Sequence, residues 1–298
     1  MKKLSKEIEQ YIINCYKDDK KSQYSISKDL NIHHTTVNNI LKRNNIEIKK
    51  WQYSINHNYF EKINTPDKAY FLGWMISDGC NKRRGIHINL QKRDDYILKK
   101  FKECIEYEGP LSLHKGKCKN CQDMTSLVIF SDKLSEDLNK LGVVPKKSKV
   151  TYFPKVQKEL CPYVIRGIFE GDGCISEIKK GLYRVGFSGS EKLMTDVLDI
   201  LKKECDINDL KLGKVGKQDT RTLVITGSYQ VLRVMNYIYK DRLDLVLSRK
   251  YEKLFEIKPK LKSKVYNNMI YSINEVATKL SNNPKERLKI LRILRKEK

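Results

Sequence analysis

The sequence predicts an α+β chain in two parts: a small all-α module first, then an αββαββα unit written twice. Three observations carry this. An apolar nonapeptide closed by Asp-Gly occurs twice, as Phe71–Gly79 and Ile165–Gly173, with the aspartates 94 positions apart. Ser126-Leu127-Val128-Ile129 is matched by Thr222-Leu223-Val224-Ile225 at nearly the same offset, 96. Ahead of both, residues 4–46 carry isoleucine and leucine at helical spacing around a tight turn.

In the N-terminal module, Ile8, Ile12 and Ile13 define one helix and Ile26 and Leu30 a second. Asn31 stands where a tight turn takes a left-handed residue, and Val37, Ile40 and Leu41 line a third helix. This is helix-turn-helix spacing, in which the third helix turns its other face to a DNA major groove. The residues presented there are His34, Thr35, Asn38, Asn39 and Lys42. Asparagine reads adenine through two hydrogen bonds, and lysine reaches guanine or phosphate. The segment (1–46) resembles the DNA-binding module of resolvases and many repressors, with His33 in the cap place those usually give to serine or threonine. Residues 44–58 are polar, basic and without helical period, so 47–66 are assigned to a linker and lead-in.

The first repeat (67–154) opens with its motif helix, then a hairpin through Ile86–Leu90 and a helix near 93–107 with Ile97, Phe101, Cys104 and Ile105 on its apolar face. A hairpin over 110–131 and a helix over 132–141 complete it. The second repeat (155–258) keeps that order: Cys174–Ile178 with Tyr183–Phe187, a helix Glu191–Cys205, a hairpin Leu210–Thr226 and a helix Tyr229–Tyr239. Residues 259–298 form a basic tail whose Ile273–Leu294 segment could be a docking helix pair or a second DNA-binding element.

Inside each motif the small residues are four apart, Gly73 with Ser77 and Gly167 with Gly171, which puts them on one helical face. Such faces let two helices pack with their backbones unusually close. Glycine inside a helix otherwise costs about 1 kcal/mol against alanine, so close approach is the reason to keep it. Gly79 and Gly173 fit the left-handed position that ends a helix. If the two helices run side by side in one direction, Asp78 and Asp172 meet at their C-terminal ends, where like charge and the helix dipoles both oppose them. A divalent cation reverses that problem and can serve phosphodiester hydrolysis.

The 60 lysines and arginines against 36 aspartates and glutamates leave a formal charge of +24, spread along the chain, which favours nucleic acid as partner. On the solvent faces of the hairpins, Lys82, Arg83, Arg84, His87 and Gln91 in one repeat and Lys179, Lys180, Arg184, Lys214, Lys217 and Arg221 in the other make a basic DNA saddle. No apolar stretch reaches membrane-span length and no signal-peptide core opens the chain, so it is expected inside the cell, cytoplasmic or nucleoid-associated, as a monomer. The eight cysteines are read as reduced thiols, and the lone C-x-x-C at Cys118 and Cys121 as a hairpin turn, not a zinc site.

With both nonapeptides, the lead-in Tyr59-Phe60-Glu61-Lys62-Ile63-Asn64-Thr65-Pro66, Leu141-Gly142-Val143-Val144-Pro145-Lys146-Lys147-Ser148 and Leu247-Ser248-Arg249-Lys250-Tyr251, the chain resembles the LAGLIDADG homing endonucleases that carry two motifs on one chain. The match covers roughly residues 53–258. The resemblance implies half-domains related by a pseudo-two-fold and joined as a saddle on double-stranded DNA, Mg²⁺-dependent double-strand cutting of a long asymmetric site, and two or more divalent ions per site. It implies that Asp78 and Asp172, with Gly79 and Gly173 beside them, hold the metal, and that Lys147 and Lys250 stand near it, Lys146 competing for the first lysine's role. Rival readings are a transcription regulator that keeps the fold without cutting, and an intron maturase that binds RNA. An intein is disfavoured, since the chain opens with Met1 and ends in Lys298 without a terminal His-Asn.

Overall fold

Gly73 and Gly167 decide how the larger part of the chain is built. In the computed structural model, which describes residues 4–19, 21, 23–48, 53–82, 84–116, 121–147, 150–179, 182–207, 210, 212–213, 220–242 and 244–257, they lie against each other across two helices. The expectations placed on Arg83, Cys118, Lys180, Lys214, Lys217 and the 259–298 tail fall outside the described residues. The chain divides into one unit of Met1–Tyr53 and another of Ser54–Lys298.

The first unit is three helices, α1 (Lys6–Lys17), α2 (Gln23–Asp29) and α3 (His34–Arg43). Ser5 caps α1 by accepting from the Ile8 N–H, and Asn31 takes the left-handed conformation with φ 49°. His33 caps α3 through its ring, which accepts from the Thr35 N–H at 3.4 Å, so the helix begins where the sequence placed it. Ile12, Cys15, Tyr16, Ile26, Val37, Ile40 and Leu41 form the core. Ile13 is only half-buried and stands apart from it, because one residue turns the helix by about 100° and carries Ile13 off the stripe that Ile12 occupies.

In the second unit, α4 (Pro66–Ile76) and α7 (Cys161–Asp172) are the two motif helices, each started by a proline that needs no N–H there. They pack in parallel. A Cβ on Gly73 would lie 2.2 Å from the Val164 carbonyl oxygen, and one on Gly167 would lie 2.2 Å from that of Tyr70. Tyr70 and Val164 are themselves 94 apart, so the contact is the same from either side and the two-fold relation is built into it. Further along, a Cβ on Gly171 would meet Ser77 Oγ at 2.1 Å. Ala69 to Ile76 and Pro162 to Glu170 are buried without a break, as befits helices enclosed on every side.

Each motif helix leads into an antiparallel sheet. The first contains β1 (Gly79–Lys82), β2 (Gly85–Gln91), β4 (Met124–Phe130) and β3 (Ser112–His114), in that spatial order; the second, among the described residues, contains β5 (Cys174–Lys179), β6 (Leu182–Gly189) and β7 (Arg221–Thr226). Alternation sends Ile86, Ile88 and Leu90 inward from β2, and Tyr183, Val185 and Phe187 from β6. Helices α5 (Asp95–Cys104) and α6 (Asp132–Lys140) accompany the first sheet, and α8 (Glu191–Cys205) and α9 (Ser228–Ile238) the second. Two short helices, α10 (Ser248–Tyr251) and α11 (Lys253–Glu256), close the described chain, and one core cluster runs through both repeats.

Three expectations need correction. Gly79 and Gly173 are not left-handed: the positive-φ glycines are Gly85, Gly142 and Gly227, and Gly173 is extended at φ −85°, ψ 164°. Their need is for space, since a Cβ would sit 2.6 Å from Met75 Cα or 2.5 Å from the Phe169 carbonyl oxygen. The helix predicted over 93–107 begins as a 3₁₀ turn at Lys92–Asp94 and stops at Cys104, shortly before Glu106 turns left-handed at φ 55°. Cys121 is disulfide-bonded, while Cys15, Cys80, Cys104, Cys161, Cys174 and Cys205 are free thiols.

Alanine favours a helix more than glycine, yet Gly73→Ala should destabilise this one. Forcing a methyl into a packed backbone contact costs about 1–3 kcal/mol. Urea denaturation reads the result; a Gly73→Ala protein as stable as the parent would remove backbone contact as the reason for the glycine.

Candidate active site and nucleic-acid interface

The parallel packing of α4 and α7 delivers Asp78 and Asp172 to one end of the molecule's central helix pair. Ser77, the C-cap of α4, fastens the junction: its Oγ donates to the Gly73 carbonyl at 3.1 Å and across the helix pair to that of Gly167 at 3.3 Å. Asp78 is next in the chain, and a Cβ on Gly171 would come within 3.4 Å of its amide nitrogen. Both aspartates reach solvent, yet desolvation at the helix ends raises both carboxyl pKa values, and the charge of Asp172 raises that of Asp78 further. Lys147 and Lys250 pull both back toward ionisation.

The two lysines grip carbonyl oxygens at the ends of the motif helices. Lys250, buried, donates to Phe169 (2.8 Å), Glu170 (2.7 Å), Gly171 (3.2 Å) and Gly173 (2.6 Å), so its three N–H bonds are shared among four acceptors. Lys147 donates to the Ser77 carbonyl at 2.6 Å. A cation is favoured at a helix C-terminus, and here each motif helix has one. Burial lowers the pKa of both ammonium groups; for Lys250, with Arg249 adding to the effect, it falls to about 8. Lys146 is exposed and left-handed at φ 60°, and it makes the turn that brings Lys147 in.

Lys147 and Asp172 share a cleft of about 290 Å³ with Ser77, Thr151, Ser188 and Thr220. Two carboxylates from separate helices, with solvent access, suit Mg²⁺, which binds through one or two protein carboxylates and takes its remaining oxygens from water and phosphate. The donor chemistry therefore fits a hard divalent cation, with Asp78 and Asp172 as its holders. Gly173 is less available than expected, because its carbonyl already accepts from Lys250. Among the described residues no group of three or more His, Cys, Asp or Glu side chains stands ready for a metal, so any such ion depends on oxygens from elsewhere.

Sequence reasoning passed over the second repeat's buried charges. Arg166 is fully buried and donates to the carbonyls of Ile238 (2.7 Å), Asp241 (2.6 Å), Arg242 (2.9 Å) and Leu245 (3.0 Å). One turn on, Glu170 accepts from the hydroxyls of Tyr70 and Tyr239 and from the Leu247 N–H at 2.8 Å. Burial pushes its carboxyl above the usual range. Charged residues inside an apolar helix run are the available sign, since such groups persist in a core only with full hydrogen bonding.

The open faces of the sheets adjoin this site. On the first, Cys80, His87 and Val128 lie in register, followed by Asn89 with Ser126; on the second, Cys174, Gly186 and Val224 correspond, flanked by Ser176, Arg184 and Thr226. Lys82, Arg84, Lys179 and Arg184 are exposed, and His87 and Gln91 are half-buried on the open side. Arg184 donates to Ser176 Oγ at 3.1 Å, and Arg84 pairs loosely with Asp132 at 3.6 Å. Arg221 departs from the expectation: it falls on the side of Leu223 and Ile225, and its guanidinium binds the Gly213 carbonyl and Glu191. In the N-terminal unit, His34, Thr35, Asn39 and Lys42 are exposed and Asn38 is half-buried, opposite the face of α3 that carries Val37, Ile40 and Leu41.

No helix among the described residues is long and apolar enough to cross a membrane. No family model and no curated protein matches the chain. Among solved structures, full-length DUF199/WhiA from Thermatoga maritima is 16% identical, covers 80% of this chain and 84% of its own, and superposes with a TM-score of 0.42. The homing endonuclease I-WcaI bound to its DNA recognition sequence gives 10% identity, 66% and 90% coverage and a TM-score of 0.44. The I-SmaMI LAGLIDADG homing endonuclease bound to cleaved DNA gives 14%, 78% and 96%, and 0.41. Scores and identities this low carry no argument about what the chain does, so its own side chains must supply one.

Proposed function

We propose that this protein is a divalent-metal-dependent DNA endonuclease that cuts both strands of a long asymmetric site. The observation that carries the reading is the convergence of Asp78 and Asp172 at the ends of two helices in backbone contact, each end capped by a lysine. Two carboxylates that face a polyanion repel it unless a cation lies between. Asp78 and Asp172 would hold a divalent ion, which when bound would supply Lewis acidity at the scissile phosphate and charge for the leaving oxygen. Around it, Lys147 orients its ammonium into the cleft beside Asp172, and Lys250 steadies the carbonyls from which Asp172 projects. The open sheet faces, with Lys82, Arg84, Lys179 and Arg184 along them, hold the duplex, and α3 reads an outer segment of it.

A second reading has its own support. Lys250 spends all its donors on carbonyl oxygens, as a purely structural cap would, and this favours a DNA-binding regulator that does not cut. Incubation with DNA that carries the chain's own insertion locus in uninterrupted form, with and without Mg²⁺, decides between them. Double-strand breaks that need Mg²⁺ support the endonuclease; tight binding with intact DNA supports the regulator.

Four outcomes follow from the endonuclease reading. Asp78→Asn and Asp172→Asn should each abolish cutting while binding stays within about a few-fold, because one carboxylate removes both a ligand and a repulsion. Mg²⁺ should raise the melting temperature of the parent and of neither variant, and parental cutting by either variant would sink the metal assignment. Lys147→Ala should slow cutting by roughly 10²–10⁴, the range for a positioned group that handles proton or charge, with affinity nearly unchanged. Lys250→Ala should add a drop in melting temperature, since it removes an ammonium donor that four carbonyls share; a variant as stable as the parent would contradict that capping role. Deletion of residues 1–46 should shorten the footprint at one end and leave Mg²⁺-dependent cutting at high protein concentration. Footprinting reads this directly, and an unchanged footprint would take base reading away from α3.

A further inference from the structure

The segments that carry the two lysines are each anchored on the opposite repeat. After Val246, four successive residues are each held by a hydrogen bond or ion pair. The Leu247 N–H donates to Glu170 Oε1 at 2.8 Å, the Ser248 N–H to the Tyr96 hydroxyl at 2.7 Å, Arg249 Nε to the Asp94 carboxylate at 3.0 and 3.3 Å, and Lys250 to the end of α7. Asp94 and Tyr96 belong to the first repeat, where α5 begins.

The other lysine shows the converse. Thr151, four residues beyond Lys147, accepts on its carbonyl from Ser190 Oγ, and its own hydroxyl donates to that Oγ at 3.3 Å. The Phe153 N–H then donates to Asp196 Oδ2 at 3.1 Å. Ser190 and Asp196 belong to the second repeat, where α8 begins. Val150 and Thr151 both donate their N–H to the Lys147 carbonyl, at 2.9 and 3.2 Å, so the anchor reaches the lysine through two backbone hydrogen bonds.

Asp94 and Ser190 hold equivalent places, 96 positions apart, as the N-cap residues of α5 and α8. Both are buried, at 5% and 2% exposure. An aspartate at an N-cap ordinarily accepts from its own helix. Asp94 makes no such bond; its carboxylate is given to Arg249 instead. Ser190 does both, accepting from the Leu193 N–H at 3.1 Å while it donates to Thr151.

We propose that Asp94 with Tyr96, and Ser190, are reciprocal positioning residues: each repeat's second helix holds, through its first turn, the lysine segment that belongs to the other repeat. This rests on the endonuclease reading for its effect on cutting. Each lysine caps the end of one motif helix, so loss of one anchor falls more heavily on one half of the site than on the other.

Strand-resolved, single-turnover cutting of a duplex labelled differently on its two strands tests the proposal, with wild type, Tyr96→Phe, Asp94→Asn and Ser190→Gly. Glycine is itself a favoured N-cap residue, so Ser190→Gly removes the anchor and leaves the helix start. Tyr96→Phe and Asp94→Asn should slow one strand, and Ser190→Gly the other, by on the order of 10- to 100-fold, as a misplaced group does. DNA affinity should not change. A general loss of fold slows both strands alike, and equal slowing, or none, overturns the proposal. Amide exchange reads the anchors without any cutting. Lys250 and Tyr251 should exchange faster in Tyr96→Phe, and Val150 and Thr151 faster in Ser190→Gly; unchanged rates overturn the reciprocity even if the wild type proves to cut neither strand, a result that counts against the nuclease reading alone.

Discussion

Two glycine faces in backbone contact set the conditions for the rest of this protein. Because Gly73 and Gly167 admit each other's helix at carbonyl distance, α4 and α7 can lie parallel with their backbones in direct contact there. Parallel packing then sends both helix C-termini to one place. Carbonyl oxygens that no N–H can reach collect there, with a carboxylate attached to each helix. Strands β1 and β5 leave from the same points, so the sheets are positioned by the same contact.

That concentration of negative charge explains the positive groups around it. Lys147 and Lys250 are recruited to the carbonyls, and their ammonium groups also favour ionisation of the two aspartates. The arrangement is not symmetric. Lys250 is enclosed and saturated, whereas Lys147, among the described residues, donates to the Ser77 carbonyl and lines an open cleft. A site built on a pseudo-two-fold thus gives its two lysines different freedom, which bears on whether they do the same work.

Much of this could be read from the residues. The offset of 94 between the motifs, with small residues four apart in each, led to the helix pair and its closing aspartates, because periodicity and size are written locally. Gly79 and Gly173 were read for handedness where crowding against Met75 and Phe169 is the reason, a distinction that depends on the path of the following strand. Strand parity assigned His87 and Arg184 to open faces but missed Arg221, which sits at a strand end and bends to Glu191. The anchors at Asp94 and Ser190 join residues 155 and 39 positions apart, and no local pattern announces a hydrogen bond over that span.

Glu170 and Arg166 have no charged counterparts in the first repeat, where Ile76 and Leu72 occupy those places. Glu170 draws one of its hydrogen bonds from Tyr70 of α4, and the residue equivalent to Tyr70 on α7 is Val164, which has no hydroxyl. Were two second repeats from separate chains to join through their motif helices, each Glu170 would face a valine and lose a donor, at about 1–3 kcal/mol or more per buried group. Two first repeats would bring tyrosines with no carboxylate to receive them. The buried tyrosine–glutamate bond is therefore a key of identity: it makes unlike halves the favoured couple, and guards an internally duplicated chain against pairing like with like.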